Sequence, residues 1–263
     1  MIDVLMPLLS DIAAVGNTMY EYYRGNVQVS VKSDKTLVTN VDHMAHESLC
    51  QSLNHFFPDV PIISEEGAIP AHEERKKLAN YWLLDPLDGT VDFINETDEF
   101  VISLAYMSQH QPTMGMLHHP VSGKTWVGIK NAGVFVYQEG HPIQPIAPPP
   151  KNDNHVILVS SHRNDEALCN VIVRQREREL GCSVQVKPLG SALKFAYLAE
   201  GIGDEYVRFT PTNDWDVAAG HLLVSEAGFQ VMALNPSERI EYGSATMKIP
   251  PISIRRLPGV QLG

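Results

Sequence analysis

The segment Tyr81-Trp82-Leu83-Leu84-Asp85-Pro86-Leu87-Asp88-Gly89-Thr90 sets an apolar run against two carboxylates. Tyr81 to Leu84 reads as a buried strand, and the Asp-Pro-Leu-Asp-Gly that follows reads as a tight turn at its C-terminal end. Such a turn aims two acids and a main-chain carbonyl at one point. That set of hard oxygens suits Mg2+, which takes oxygen ligands in near-octahedral geometry and keeps part of its water. A second apolar run, Val60-Pro61-Ile62-Ile63, ends in Ser64-Glu65-Glu66-Gly67 and delivers Glu65 toward the same place. A lone Asp-x-x-Asp more often caps backbone amides in a turn. Acids at the ends of two buried strands weigh the other way, because like charges buried together call for a cation between them.

Working outward, residues 2–23 place Ile2, Leu5, Leu9, Ile12, Ala13 and Met19 at helical spacing. After a polar loop, Lys32-Ser33-Asp34-Lys35-Thr36, a second helix is predicted from about Asp42 to Phe56, with Ala45, Leu49, Leu53 and Phe56 on one face. Downstream, 102–107, 113–117, 124–129 and 133–137 read as strands of a mostly antiparallel sheet. The clearest break in composition spans 138–154 and contains Pro142, Pro145 and Pro148-Pro149-Pro150. Proline fixes the backbone and removes donors, so 141–154 is read as a connection. It would separate an N-terminal α+β subdomain (1–140) from a C-terminal α/β subdomain (155–263). In the second part, strands at 156–160, 184–187, 205–209 and 229–233 alternate with helices at 164–180, 191–199 and 216–227, the pattern of an α/β layer arrangement.

A further acidic segment, Thr212-Asn213-Asp214-Trp215-Asp216-Val217-Ala218-Ala219-Gly220, opens the last of these helices. The small residues after Asp216 permit close helix packing. Asn213 or Asp214 is the candidate cap, and by itself Asp216 reads as an acid complementing the helix dipole. By themselves Lys194 and Arg208 read as surface charges, His162 as a loop histidine, and His118-His119 as structural or surface residues.

Composition narrows the function classes. The formal charge of −11 is unsuited to gripping a nucleic-acid polymer through its phosphates. It leaves room for a small anionic substrate, since bound cations reverse the field within a pocket. Cys50, Cys169 and Cys182 are odd in number and widely spaced, with no CxxC pair, so neither a disulfide framework nor a cysteine zinc site is expected. A reducing cytoplasm is the expected compartment, with a peripheral station at the inner membrane as the alternative. The N-terminal segment lacks a basic n-region and is interrupted by Asp3 and Asp11, so it is not read as a signal peptide, and no run is long enough to cross a bilayer.

Asp85-Pro86-Leu87-Asp88-Gly89-Thr90 and Trp215-Asp216-Val217-Ala218-Ala219-Gly220 together resemble the two signatures of the inositol monophosphatase superfamily of metal-dependent, lithium-sensitive phosphatases. The resemblance extends over 32–233. Within the superfamily the closer likeness is to the CysQ-type 3'(2'),5'-bisphosphate nucleotidases. It is carried by Ser64-Glu65-Glu66, Tyr81 to Asp88, Ser160-Ser161-His162, Gly190-Ser191-Ala192-Leu193-Lys194-Phe195 with Ala199-Glu200-Gly201, and Arg208-Phe209-Thr210-Pro211-Thr212-Asn213.

The resemblance implies an α/β (α+β) fold, a layered αβαβα sandwich. It also implies two or three Mg2+ ions, one held by Glu65, Asp85 and the main-chain carbonyl of Leu87, a second by Asp85, Asp88 and Asp216. Asp42, Glu65 and Thr90 would act on the attacking water, Thr90 through a hydrogen bond to Asp42. The substrate phosphate would lie against Glu65, Leu87, Asp88, Gly89, Thr90 and Asp216. His162, Ser191, Lys194 and Arg208 would contact the rest of a small phosphorylated nucleotide. The implied reaction converts adenosine 3',5'-bisphosphate to AMP and phosphate, in sulfur assimilation and nucleotide recycling, by a monomer or homodimer. An inositol or other sugar-phosphate phosphatase is the alternative, and a non-catalytic nucleotide- or metal-binding regulator is the alternative of another class. Two features depart from the subfamily pattern. Val91-Asp92-Phe93 stands where Lys-Glu-Phe is usual, and 235–263, with Ile249-Pro250-Pro251-Ile252, does not follow the usual ending.

Overall fold

The computed structural model describes residues 5–25, 27–31, 36–146, 155–162 and 165–256 of the 263. Ile2 of the expected first helix, residues 32–35 of the expected polar loop, the proline run at 147–154, Asn164 and the tail at 257–263 lie outside the described residues.

The first half runs α1 (Met6–Tyr22), β1 (Val29–Val31), β2 (Leu37–Thr39), α2 (Asn40–Phe56), β3 (Ile62–Ser64), α3 (His72–Arg75), β4 (Asn80–Asp88) and α4 (Thr90–Ile94). It continues as a meander of β5 (Val101–Ser108), β6 (Gln111–His119), β7 (Lys124–Ile129), β8 (Gly133–Gln138) and β9 (Gln144–Pro145). Strands β3 to β9 form one sheet in chain order, antiparallel except for the parallel β3–β4 pair. The second half contributes β10 (His155–Ser160), α5 (Glu166–Leu180), β11 (Val184–Leu189), α6 (Leu193–Glu200), β12 (Glu205–Arg208) and β13 (Thr212–Asn213). After these come α7 (Asp214–Glu226), β14 (Phe229–Ala233), β15 (Lys248–Ile249) and β16 (Ile252–Arg256). Its five-stranded sheet has the order β11-β10-β12-β16-β14.

Side chains alternate across a strand, so the continuous apolar run of β4 serves two cores at once. Trp82 and Leu84 pack with Leu9, Ile12 and Met19 of α1 and Ala45 and Leu49 of α2. Tyr81 and Leu83 face the other way, into a cluster with Phe195 of α6, Val217 and Leu223 of α7, and Leu158 and Ile254 of the second sheet. The far side of the second sheet packs Ile157, Val159 and Val207 against Cys169, Ile172 and Val173 of α5. The order is helices, sheet, helices, sheet, helix: the layered αβαβα sandwich.

Two close approaches hold this stack. Gly115 of β6 lets α7 lie directly on the sheet, since a Cβ there would sit 2.4 Å from the carbonyl oxygen of Ala219. Gly16 does the same for α1 over β6, where a Cβ would meet Nε2 of the buried His118 at 2.0 Å.

The structure corrects several boundaries. The expected turn after Leu84 is a continuation of β4. Asp85 pairs with Ser103 and Asp88 with Val101, so three steps on β4 match two on β5, which is a bulge. The second helix begins two residues before Asp42, because Thr39 caps it and Asp42 closes the capping box from the third position. The last long helix likewise begins at Asp214, with Asn213 as its N-cap. The expected connection is partly sheet, for Gln144 and Pro145 pair with Val136 and Phe135. The unusual C-terminal stretch supplies β16, the strand between β12 and β14. Among the described residues no helix is long and apolar enough to cross a membrane.

Candidate active site

A cleft of about 320 Å³ opens between the two sheets, bounded by the end of β4, the start of α4, the end of β10, the β11–α6 connection and the start of α7. Its floor is acidic. Glu65 follows β3, and its amide donates to the carbonyl of Leu84 at 3.0 Å, which ties it to the neighbouring strand. One carboxylate oxygen each from Glu65, Asp85 and Asp216 lies within 4.8 Å of the others.

The bulge explains Asp85: with the ladder interrupted, its Oδ1 accepts from the amide of Leu87 at 3.1 Å while the carboxylate stays buried. Burial, and then the charges of Glu65, Asp88 and Asp216, raise the Asp85 pKa well above the ordinary carboxylate range. Asp88 is pushed up to about 7 by burial and by Asp216, opposed by Lys194, by the amide of Ala192 and by Arg208. Its Oδ2 accepts from that amide at 2.5 Å. Asp216 accepts from the amide of Asn213 at 3.0 Å and from the Thr212 hydroxyl. It closes the capping box of α7 and still faces the cleft. The capping and cluster roles, alternatives in the sequence, coexist in one carboxylate. The cluster that closes spans the two expected ligand triads, with Asp88 beside it and held by Ala192.

A second device joins the floor to α2. Asp42 is buried, and its Oδ2 takes hydrogen bonds from the amide and hydroxyl of its own cap, Thr39, at 2.7 and 2.6 Å. This leaves Oδ1 for Thr90, whose hydroxyl donates to it at 3.1 Å and lies 3.3 Å from the carbonyl of Leu87. Burial raises the Asp42 pKa, against the pull of the Thr39 hydrogen bonds. Gly89, at φ 100, caps α4 where a Cβ would strike the Glu99 carbonyl at 2.9 Å.

The rest of the lining carries cationic and polar groups. Lys194 is buried, not a surface charge. Its ammonium donates to the carbonyls of Leu189 (2.9 Å) and Ser191 (2.5 Å), and burial lowers its pKa to about 8. Two of its three donors are thus engaged. Arg208 donates through Nε to the carbonyl of Thr210 at 3.2 Å, and both cations line the cleft. His162 and Ser191 line it too. Every residue assigned to the site from the sequence is on or beside this cleft except Asp42, which reaches it through Thr90. Three features were not assigned from sequence. Ser161 lines the cleft with a buried hydroxyl that has no partner among the described residues. Thr39 orients Asp42, and the Thr-x-x-Asp spacing of a capping box was its signal. Asp92 bonds His162 at 2.8 Å.

A metal fits this donor set on chemistry alone: three convergent carboxylates, all oxygen donors, mutually repelling and partly buried.

Comparison with known proteins agrees with the geometry. The model of the inositol monophosphatase family matches residues 4–250, and the chain belongs to that family. Among its relatives, the 3'(2'),5'-bisphosphate nucleotidase CysQ of Aggregatibacter actinomycetemcomitans is 31% identical over 234 residues, 87% of this chain and 85% of that one. The protein of the same name from Escherichia coli is 34% identical over 226 residues, 82% and 85% of the two chains. In three dimensions, the crystal structure of CysQ from Bacteroides thetaiotaomicron superposes with a TM-score of 0.80 at 24% identity, covering 97% of each chain. The protein is therefore a metal-dependent phosphatase of the inositol monophosphatase fold, with a candidate metal site at Glu65, Asp85 and Asp216.

Proposed function

We propose that the protein hydrolyses the 3'-phosphate of adenosine 3',5'-bisphosphate, giving AMP and phosphate, with Mg2+ as its cofactor. The observation that carries this is the convergence of an acidic cluster and two cations, Lys194 and Arg208, on one cleft. The cluster suits cations that neutralise a scissile phosphate, and Lys194 and Arg208 suit a second anionic group. The CysQ names of relatives over most of the chain favour the nucleotide.

Glu65, Asp85 and the Leu87 carbonyl would hold one ion, and Asp85, Asp88 and Asp216 a second. Such ions, when bound, neutralise developing charge and make a coordinated water more acidic. The protein's own groups do the rest. Thr90, its proton directed to Asp42, turns its oxygen lone pairs toward the attacking water and orients it. Glu65, on the same cleft lining, would draw the water's proton. Phosphoryl transfer asks chiefly for positioning and charge neutralisation, in line with the departing ester oxygen. Lys194 keeps one N–H free for a phosphate oxygen, Arg208 offers its planar fork to the second phosphate, and Ser161 gains a partner from the bound substrate. Three free cysteines suit a reducing cytoplasm.

The test is phosphate release with Mg2+ from adenosine 3',5'-bisphosphate, inositol 1-phosphate and fructose 1,6-bisphosphate. The expected result is a clear preference in kcat/KM for the nucleotide. Preference for inositol or sugar phosphate would keep the metal chemistry and discard the nucleotide. Release from none of the three would discard the catalytic reading.

A further inference from the structure

Three carboxylates of the first half reach across to the second. Asp88 holds the amide of Ala192 at 2.5 Å, and Glu99 holds the amide of Gly190 at 2.6 Å. Asp92 holds the ring of His162, with Nε2 2.8 Å from Oδ1. The first two grip backbone. The third grips a side chain that lines the cleft.

Asp92 is itself tightly placed. It is 3% exposed, on the short helix that leaves the metal loop, and it takes a second hydrogen bond from the Thr97 hydroxyl at 3.1 Å. Gly190 presses against it so closely that a Cβ there would lie 2.5 Å from Oδ2. The His162 side chain, in contrast, is 43% exposed and sits at the free end of β10. An exposed side chain of that kind samples several rotamers unless something holds it. A carboxylate accepts only, so Nε2 must carry the proton of this bond. Nδ1 is then the one ring atom left for a ligand, an acceptor in the neutral ring.

We infer that Asp92 is a positioning residue for substrate selection, locking His162 so that Nδ1 meets the part of the substrate remote from the scissile phosphate. The inference rests on the reading of His162 as a substrate contact. It links the loop that carries the metal ligands to the group that selects the leaving group: the helix that begins at Thr90 also sets a ring on the cleft lining.

The test is a double-mutant cycle on AMP binding, measured calorimetrically with Mg2+ present, using His162→Ala, Asp92→Ala, the double variant and Asp92→Asn. His162→Ala is expected to weaken binding about tenfold, the size of one lost hydrogen bond. Asp92→Ala is expected to weaken it about three- to tenfold, by freeing one side chain that must be ordered again on binding. The double variant should be no worse than His162→Ala alone, and Asp92→Asn, which keeps an acceptor for Nε2–H, should stay within about twofold of wild type. In turnover the same losses should fall on KM, with kcat changing much less. Additive losses overturn the inference, as does an Asp92→Asn variant as impaired as Asp92→Ala, or a loss in kcat and melting temperature with KM unmoved. If wild type binds no AMP and prefers another phosphate ester, the nucleotide reading fails. The cycle is then read on KM for that ester, where coupling upholds the positioning role and additivity ends it. Should Asp92→Ala not fold, Asp92→Leu fills the space without accepting and takes its place.

Discussion

Asp85 is costly to the fold, and the proposed function makes it a ligand to both ions. It is buried beside Glu65, Asp88 and Asp216, and that burial, with the three neighbouring charges, holds its pKa well above the ordinary range. Asp85→Asn removes one charge from this repulsion and keeps an oxygen for the Leu87 amide. Without metal the variant should melt at or above the wild-type temperature, while phosphate release falls by at least ~100-fold, the loss that even an outer partner of a metal ligand can produce. Mg2+ should stabilise wild type by about 2.7 kcal/mol at a hundredfold excess over its Kd, and stabilise the variant far less. Thermal melts in chelator and in Mg2+, alongside the assay, check all three. A variant that fails to fold would make Asp85 a structural acid.

Among the elements, α7 matters most to the site because it carries Asp216 from the second half onto the first sheet. Its close seat depends on Gly115 of β6 beneath Ala219, backbone against backbone. In Gly115→Ala the new methyl has no flexible neighbour to displace, so the helix itself must lift. The expected cost is about 1–3 kcal/mol, typical of overpacking, together with weaker Mg2+ binding as Asp216 moves away from Glu65 and Asp85. Denaturant unfolding and a Mg2+ titration measure the two effects. Normal Mg2+ affinity in a destabilised variant would show that the helix position and the metal site are independent.

For the whole molecule, a buried histidine, His118, and a half-buried one, His221, set a distinctive response to acid. Burial lowers His118 to about 3 and His221 to about 4. Both lie below the unfolded value of about 6.5, so below that pH the unfolded chain binds protons that the folded one refuses. Each histidine therefore removes stability as pH falls, starting near 6.5 and ending at its folded value. The loss is about 1 kcal/mol per histidine between pH 6 and pH 5. Asp88 and Asp214, raised to about 7 and about 6, act in the opposite sense, since the folded state holds their protons more tightly. The histidine contribution is isolated by comparison with His118→Gln and His221→Gln. Wild type should lead each variant most at pH 7, and the lead should shrink by about 1 kcal/mol between pH 6 and pH 5 in urea melts. A lead independent of pH would mean that these rings titrate normally in the folded protein.

Local chemistry was enough to read much of this molecule in advance. The apolar run at Tyr81, the acids behind it and the helical spacing of Leu49 and Leu53 express burial patterns that repeat every two or 3.6 residues, and such patterns are visible in one dimension. The two acidic segments also carried the family. Other features depended on distant partners. The bulge at Asp85 exists only against Val101 and Ser103, and β16 is a strand only because β12 and β14 leave it a central slot. Lys194 looks like a surface charge until β11 and α6 enclose it, and Asp92 means little until His162 arrives from 70 residues away. Composition and spacing alone say which residues seek burial and which carry charge. Which charges share one low-dielectric space was left to the packing of distant segments, because it depends on contacts that no local pattern encodes.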